Sequence, residues 1–327
     1  MDLVSVVVPT LNRPLALNRA LMSLLNQKLP TGINLEICVV DNSRDGTARP
    51  TVDALPTQLT IPLRYLSEPT PGVSSARNAG VRAASGRWIA FLDDDEEACD
   101  TWITSLVAVA RATSADAVFG PVTAKADGGG NGGGNGNGNS VDADGVASAA
   151  PFARYFSRSI DRPNACTITD LAAYLGTNNS MFDKSRCLAD PAPFDPTLNS
   201  IGGEDSLLLQ RLVIAGCSFA WCQTALVTEW VPPKRLTWNY VFKRKFLSGQ
   251  IRVFVLHKLR PVRWPLIAWW MAAGLVQTIV GGLARLVLWP FKGAGYNRAS
   301  VMFYAGLGKV LWMPRFRPSL YGQGLVS

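Results

Sequence analysis

Short apolar runs alternate with longer, helically spaced apolar stripes along the first two-thirds of the chain. Residues 4–8 are a nearly unbroken run of valines that Pro9 is expected to close, the pattern of a strand buried on both faces. Leu15, Leu17, Leu21, Leu24 and Leu25 follow at helical spacing. Residues 35–40 predict a second strand that ends in Asp41-Asn42-Ser43, and residues 63–66 a third. A helix is predicted over 73–84, then a strand over 87–92 that runs into Asp93-Asp94-Asp95-Glu96-Glu97. A helix over 102–112 and a strand over 117–122 come next. Farther on, Gly202-Gly203-Glu204-Asp205 opens a helix with Leu208, Leu212 and Ala215 on one side, and 219–222 and 225–230 read as closing strands. This alternation predicts an α/β protein with a doubly wound, mostly parallel sheet and helices on both faces.

Two stretches break the pattern. Residues 128–140 hold eight Gly and four Asn, which bury no apolar surface and predict a flexible loop inserted within the domain. Residues 264–284 carry no charge over 21 positions and are flanked by Arg260, Arg263, Arg285 and Lys292. As a helix they reach about 30 Å, one hydrocarbon thickness. Gly274, Gln277, Gly281 and Gly282 argue for an interfacial or re-entrant arrangement as much as for a span. Residues 299–307 are apolar but too short to span alone. The boundary falls near Pro232-Pro233, giving a front domain of residues 1–232 and a helical tail of residues 233–327.

Charge sharpens that division. The net charge of +8 is unevenly spread: residues 1–230 hold 17 Lys/Arg and all 24 Asp/Glu, whereas residues 231–327 hold 15 Lys/Arg and no acid. The tail also carries six of the ten Trp. Basic and Trp-rich together point to an anionic membrane surface and not to nucleic acid. Six cysteines without a C-x-x-C pair and a single His disfavour zinc. Met1-Asp2-Leu3 leads directly into the first strand, so no signal peptide and a cytoplasmic front with reduced thiols are expected.

Asp93-Asp94-Asp95 is the strongest chemical feature. Carboxylates crowded at a strand end repel one another unless a positive group lies there, and a divalent cation on a diphosphate would compensate them. An acidic turn capping the next helix is the plainer alternative. Glu204 and Asp205 lie at a helix start, where the dipole favours ionised carboxylates, as a general base requires; helix stabilisation alone would place acids there too. Thr10, Asn12 and Arg13 after the first strand, Asp41 and Asn42 after the second, and Arg77 and Asn78 in the helix before the acidic run repeat polar groups along one sheet edge, which suggests a pocket.

The ordered set VSVVVPTLNR, LEICVVDNSRDGT, EPTPGVSSARNAG, GRWIAFLDDDE, GTNNSMF and FDPTLNSIGGEDSLLLQRL resembles family 2 glycosyltransferases of the GT-A fold. Within that family the chain resembles bacterial exopolysaccharide enzymes of the succinoglycan glucosyltransferase type, which share a tail like FAWCQTALVTEWVPPKRLTWNYVFKRKF. The resemblance covers residues 3–250. Leu11 departs from an aromatic residue common in the family, and Glu229 stands where some members have a metal-binding His. The resemblance implies that Asp41 contacts the nucleotide base, with Thr10, Asn12, Arg13, Asn42 and Arg77 around the nucleotide. Asp93 and Asp95 would be the D-x-D pair on Mn²⁺ or Mg²⁺, with Asp94 beside them. Asp205 would be the base, Glu204 would place the acceptor, and Asn178 and Asn179 would border the sugar.

It further implies an inverting, metal-dependent transfer from a nucleotide-sugar donor, a UDP-sugar being favoured, to a lipid-linked saccharide at the cytoplasmic face of the bacterial inner membrane, through a peripheral, monotopic or single-span tail. A processive polysaccharide synthase is the competing enzyme, disfavoured by one candidate span and no Q-x-x-R-W motif. A catalytically inactive sugar-nucleotide or membrane-binding module is the competitor from another class. A dinucleotide oxidoreductase is disfavoured because the first strand leads to PTLNR and not to a glycine fingerprint.

Overall fold

Valines at successive positions of the first strand point to opposite sides: Val4, Val6 and Val8 enter one core and Val7 the other. A strand buried on both faces must be covered by two layers of helix. The computed structural model, which describes residues 2–56, 60–128, 151–199 and 201–316, has that arrangement. The elements are β1 (Asp2–Thr10), α1 (Pro14–Leu25), β2 (Ile33–Asp41), α2 (Arg49–Asp53), β3 (Leu63–Ser67), α3 (Val73–Ala83), β4 (Trp88–Phe91), β5 (Glu96–Ala98), α4 (Trp102–Thr113), β6 (Ala117–Phe119) and β7 (Val122–Ala126). After residue 150 come β8 (Ser180–Asp183), α5 (Lys184–Cys187), α6 (Glu204–Ile214), β9 (Phe219–Trp221), β10 (Val227–Val231), α7 (Trp238–Lys258), α8 (Trp264–Leu288) and α9 (Ala294–Val310).

The main sheet has the order β3-β2-β1-β4-β8-β6-β9, and a smaller one the order β5-β10-β7. Leu17, Leu21 and Leu24 of α1 and Trp102 and Leu106 of α4 fill one face. Ala76 and Val81 of α3 and Leu208 and Leu212 of α6 fill the other. There Phe91, Phe182, Phe119 and Phe219 meet in sequence across β4, β8, β6 and β9, edge to face or tilted, with ring centroids 5.3–5.8 Å apart. Each such pair contributes about 0.5–1.5 kcal/mol beyond its burial, enough to favour this strand order.

Two expected strand bounds are revised. Pro9 lies within β1, which continues to Thr10; it sits past the last β1–β4 pair, Val7 with Phe91, where a missing N–H costs no ladder bond on that side. The strand expected over 117–122 is two strands in different sheets, divided at Gly120-Pro121. The Gly/Asn stretch lies, from residue 129 onward, outside the described residues. All six cysteines are free.

The tail packs directly on the front. Thr237 caps α7 by accepting from the Tyr240 N–H. Leu198 and Leu207 share a cluster with Val253, Phe254 and Ile267, while Val241 packs with Phe152, Phe156 and Val231. Helices α8 and α9 form an antiparallel hairpin. A side chain at Gly274 would collide with Lys309 and the Gly306 carbonyl, and one at Gly281 with the Phe303 backbone. Those glycines let the two helices approach closely.

Candidate active site

Because β1 to β4 are mutually parallel, their carboxyl ends meet at one edge, and antiparallel β8 begins at the same edge opposite Phe91. The chain adds β2 and β3 on one side of β1 and then returns to add β4 on the other, so this edge includes a topological switch point. Thr10 pairs with Asp41 and Phe91 with Ser180 in register. That brings the Thr10–Arg13 segment, Asp41-Asn42, the acidic run and Asn178-Asn179 to one edge.

The acidic run is held by arginines. Arg13 donates to Asp94 Oδ1 at 2.9 Å and to Asp95 Oδ2 at 3.0 Å, and Thr10 donates to Asp94 Oδ2 at 2.8 Å. Arg235 donates to Asp95 Oδ2 at 3.4 Å. Glu96 is 1% exposed and accepts from the Asp93 N–H at 3.0 Å and from Asn178 Nδ2 at 2.8 Å. It pairs across the small sheet with Glu229, a juxtaposition of like charges that is ordinarily unfavourable. Burial, together with neighbouring acids, pushes Asp94, Asp95 and Glu96 above the usual carboxylate range; Glu229 rises to about 7 through burial and Asp95.

Arg77 joins this strip to the start of α6. It donates to Asp93 Oδ1 at 3.1 Å and to Glu204 Oε1 at 2.9 Å. Burial opposes its charge, but Asp93 and Glu204 outweigh that and raise it. Glu204 is buried and pushed up to about 7 by burial and then by Asp205. Helix α6 begins after Gly203, whose φ of +93° is a conformation that glycine adopts without strain. Asp205 is half-buried, and a side chain at Gly176 would meet its Oδ2 at 3.1 Å and Asn178 Oδ1 at 3.0 Å. The bare glycine therefore keeps open the space between Asn178 and Asp205.

Three expected contact residues hydrogen-bond within the scaffold. Asp41 is fully buried and accepts from the Ser43 N–H, the Ala48 N–H and the Tyr65 hydroxyl. Asn42 donates to the Glu68 and Thr70 carbonyls and accepts from the Gly72 N–H. Asn179, also fully buried, accepts from Trp102 Nε1 and donates to the Pro121 and Ala225 carbonyls. Each braces the loops of the rim through backbone and ring partners, and Asp41 Oδ1, which accepts a single bond, keeps a further acceptor site. Asn12 is exposed, with φ +56°, and accepts from Thr47 at 3.0 Å. Thr10, Arg13, Arg77, Asp93, Asp95, Asn178 and Asp205 stay in or beside the cleft.

Sequence inspection missed Arg158. It donates to the carbonyls of Gly120, Gly176, Asn178 and Asn179 and to Asn178 Oδ1. Burial pulls it down to about 10, so it stays cationic beneath the rim. A lone arginine in an irregular segment gives no pattern to detect. Arg235 was also missed, although it lies within the PPKR stretch at the start of the tail.

The donor set suits a hard divalent cation. Seven carboxylates (Asp93, Asp94, Asp95, Glu96, Glu204, Asp205 and Glu229) meet five arginines (Arg13, Arg77, Arg158, Arg235 and Arg244), an excess of two negative charges when all are ionised. Arginines occupy Asp93 Oδ1 and Asp95 Oδ2. No side chain among the described residues donates to the second oxygen of either, so oxygen ligands are available for such an ion. The described residues contain no group of three or more acidic, His or Cys ligands in metal-binding proximity, so a bound diphosphate would have to complete the coordination.

The sequence model described as Glycosyl transferase family 2 matches residues 5–174, over half the chain. The chain is a family 2 glycosyltransferase. This transferase is 30% identical over 247 residues to "Succinoglycan biosynthesis protein ExoM" of Rhizobium meliloti, covering 76% of the chain and 73% of that protein. Over 108 residues it is 32% identical to "GalNAc(5)-diNAcBac-PP-undecaprenol beta-1,3-glucosyltransferase" of Campylobacter jejuni, covering 33% of the chain and 34% of that protein. Among solved structures, S. aureus TarS 1-349 in complex with UDP superimposes with a TM-score of 0.53 at 17% identity, covering 94% of the chain and 90% of the other. That likeness is one of fold, and the expected GT-A architecture of the transferase is borne out by it.

Proposed function

We propose that the chain is an inverting, metal-dependent transferase that moves a sugar from a nucleoside diphosphate, UDP being favoured, to a lipid-linked saccharide in bacterial surface polysaccharide synthesis. One observation carries this: the Arg77 guanidinium holds Asp93 of the acidic strip and Glu204, the neighbour of Asp205, at opposite ends of one cation. The donor's leaving group and the acceptor's base are thereby set at a fixed separation. Asp93 and Asp95 would hold Mn²⁺ or Mg²⁺, which when bound supplies Lewis-acid stabilisation of the departing diphosphate. Thr10 and Arg13 brace the acidic strip, and Asp41 and Asn42 set the loops of the nucleotide side. Asn178 borders the sugar; Asn179 acts through the backbone it holds. Asp205 takes the proton of the acceptor hydroxyl while that oxygen bonds to the anomeric carbon. The anomeric carbon–diphosphate bond breaks on the opposite face, its electron pair leaves with the diphosphate, and configuration inverts.

The membrane enters through α8, the one helix among the described residues long and apolar enough to cross a bilayer. Its polarity is inverted. Trp269, Val276, Ile279, Leu283, Leu286 and Val287 are exposed along one stripe, while Gln277, Thr278 and Arg285 lie on the side that meets α9. Apolar outside and polar inside is the arrangement a lipid environment favours. Flanking cations and Trp264 and Trp289 suit the headgroup region of the cytoplasmic leaflet. The test is a screen of nucleotide sugars with full-length protein, reading nucleoside diphosphate release and product anomeric configuration by NMR. Retained configuration, or release unaffected by EDTA, would overturn the mechanism.

A further inference from the structure

A chain of contacts leads from the cleft to the hairpin. Gly176 borders Asp205; two residues earlier, Tyr174 is 62% exposed at the end of a short 3₁₀ helix. The Arg252 guanidinium lies 4.2 Å from the centre of the Tyr174 ring and 5.1 Å from that of Trp270. The Lys309 ammonium lies 5.5 Å from the same Trp270 ring and donates to Gln277 Oε1 at 2.5 Å. Next to Arg252, Ile251 packs against Gly203 at the start of the base-bearing helix.

These two cations lack a counter-ion. No acid follows Glu229 in the sequence, and neither Arg252 nor Lys309 makes an ion pair among the described residues. Arg252 Nη1 is buried with no hydrogen-bond partner. Leaving a buried guanidinium nitrogen unpaired is costly, more so than for a neutral donor. Two other tail cations do reach acids, Arg235 at Asp95 and Lys258 at Asp195, whereas Arg285, whose Nε is likewise buried without a partner, lies among the rings of Tyr296, Phe303 and Tyr304 within the hairpin.

We propose that Arg252 and Lys309 form the receptor for the diphosphate of a lipid-linked acceptor, seated between the catalytic cleft and the lipid-facing stripe of α8. The assignment rests on the lipid-linked acceptor proposed above and specifies where its anionic group binds. A planar guanidinium and an ammonium flanking one aromatic ring match a polyanion, and a forked arginine favours phosphate oxygens. The saccharide then runs past Tyr174 toward Asp205, and the lipid chain runs along α8. A phosphate from an ordinary phospholipid headgroup offers related chemistry, so the test must separate the two sources.

The full chain is floated with phosphatidylcholine vesicles doped either with a polyprenyl diphosphate or with phosphatidylglycerol at matched charge, in salt that screens surface attraction. Wild type should prefer the diphosphate vesicles by roughly tenfold or more. Arg252→Met and Lys309→Met should each remove the preference, Arg252→Lys should retain part of it, and Lys292→Met should retain all of it. Equal binding to both vesicles by wild type would overturn the proposal, as would an Arg252→Met chain that kept the preference. If Arg252→Met lost its melting transition, Lys309→Met and Arg252→Lys would decide. No donor is present, so loss of preference leaves the transferase mechanism standing, and failure of transfer from every nucleotide sugar leaves the preference measurable.

Discussion

Arg77→Gln removes the guanidinium shared by Asp93 and Glu204, both within 3.1 Å of it. Arg77 is 5% and Glu204 6% exposed, so the change leaves a buried carboxylate without its partner. Breaking such a pair by deleting one side costs about 3–5 kcal/mol. The cost depends on pH, with a definite sign. Glu204 is raised by burial and Asp205 from 4.5 to about 7 even with Arg77 present. Between those values the folded state binds more protons than the unfolded chain, so stability falls as pH rises through the window, and above it the whole cost stands. Without Arg77 the folded value rises further. The deficit of Arg77→Gln therefore grows as pH rises above about 7 toward the variant's higher value, and falls to a level floor below about pH 7, where Glu204 is protonated with or without the cation. Urea unfolding of the full chain in detergent micelles, followed by Trp fluorescence, measures it. Adding Glu204→Gln should recover about 1–3 kcal/mol at neutral pH. A deficit below about 1 kcal/mol, a deficit unchanged by acidification, or no recovery in the double variant would refute the clamp.

Asp95→Ala should abolish transfer and weaken Mn²⁺-dependent nucleotide binding while melting stays cooperative; calorimetric titration with nucleoside diphosphate checks this, and intact turnover would remove Asp95 from the metal site. Asp205→Asn should lower turnover by ~10²-fold or more with donor affinity kept; a fall in affinity at unchanged turnover would make Asp205 a binding group. Arg158→Met should destabilise the fold by about 3 kcal/mol or more, because several carbonyls lose one charged donor at once; an unchanged urea midpoint would contradict that. Ile279→Asp, on the exposed stripe of α8, should reduce flotation with anionic vesicles and leave the melting temperature unchanged; undiminished flotation would argue against lipid contact there.

Asp93-Asp94-Asp95 and Glu204-Asp205 were legible because crowded carboxylates beside a strand end or a helix start are local in the chain. The clamp between them was not, since Arg77 and Glu204 are 127 residues apart and only the folded chain brings α3 to the start of α6. Asp41, Asn42 and Asn179 show the opposite difficulty. Asx side chains stabilise turns as readily as they bind ligands, and residue type alone does not separate the two uses. The four parallel strands announced themselves through apolar runs. β5 did not, because three residues beginning Glu-Glu carry no alternation, and its place is set by pairing with β10. Arg158, in an irregular segment, has neither periodicity nor neighbours of its own kind.

The contact of Ile251 with Gly203 has a geometric consequence. No linker separates the helix proposed to bear the base from the part of the chain proposed to rest on lipid; α7 touches both the start of α6 and the hairpin. With the hairpin seated on a leaflet, the carboxylate proposed as the base stands at one height above the membrane plane. An acceptor hydroxyl reaches it only when the saccharide between lipid and hydroxyl has the matching length. The molecule would then act as a ruler, adding a sugar to chains of one size and ignoring those a residue shorter or longer. A series of lipid-linked acceptors of stepped length would show a single sharp maximum, whereas equal use of every length would mean that the height is not fixed.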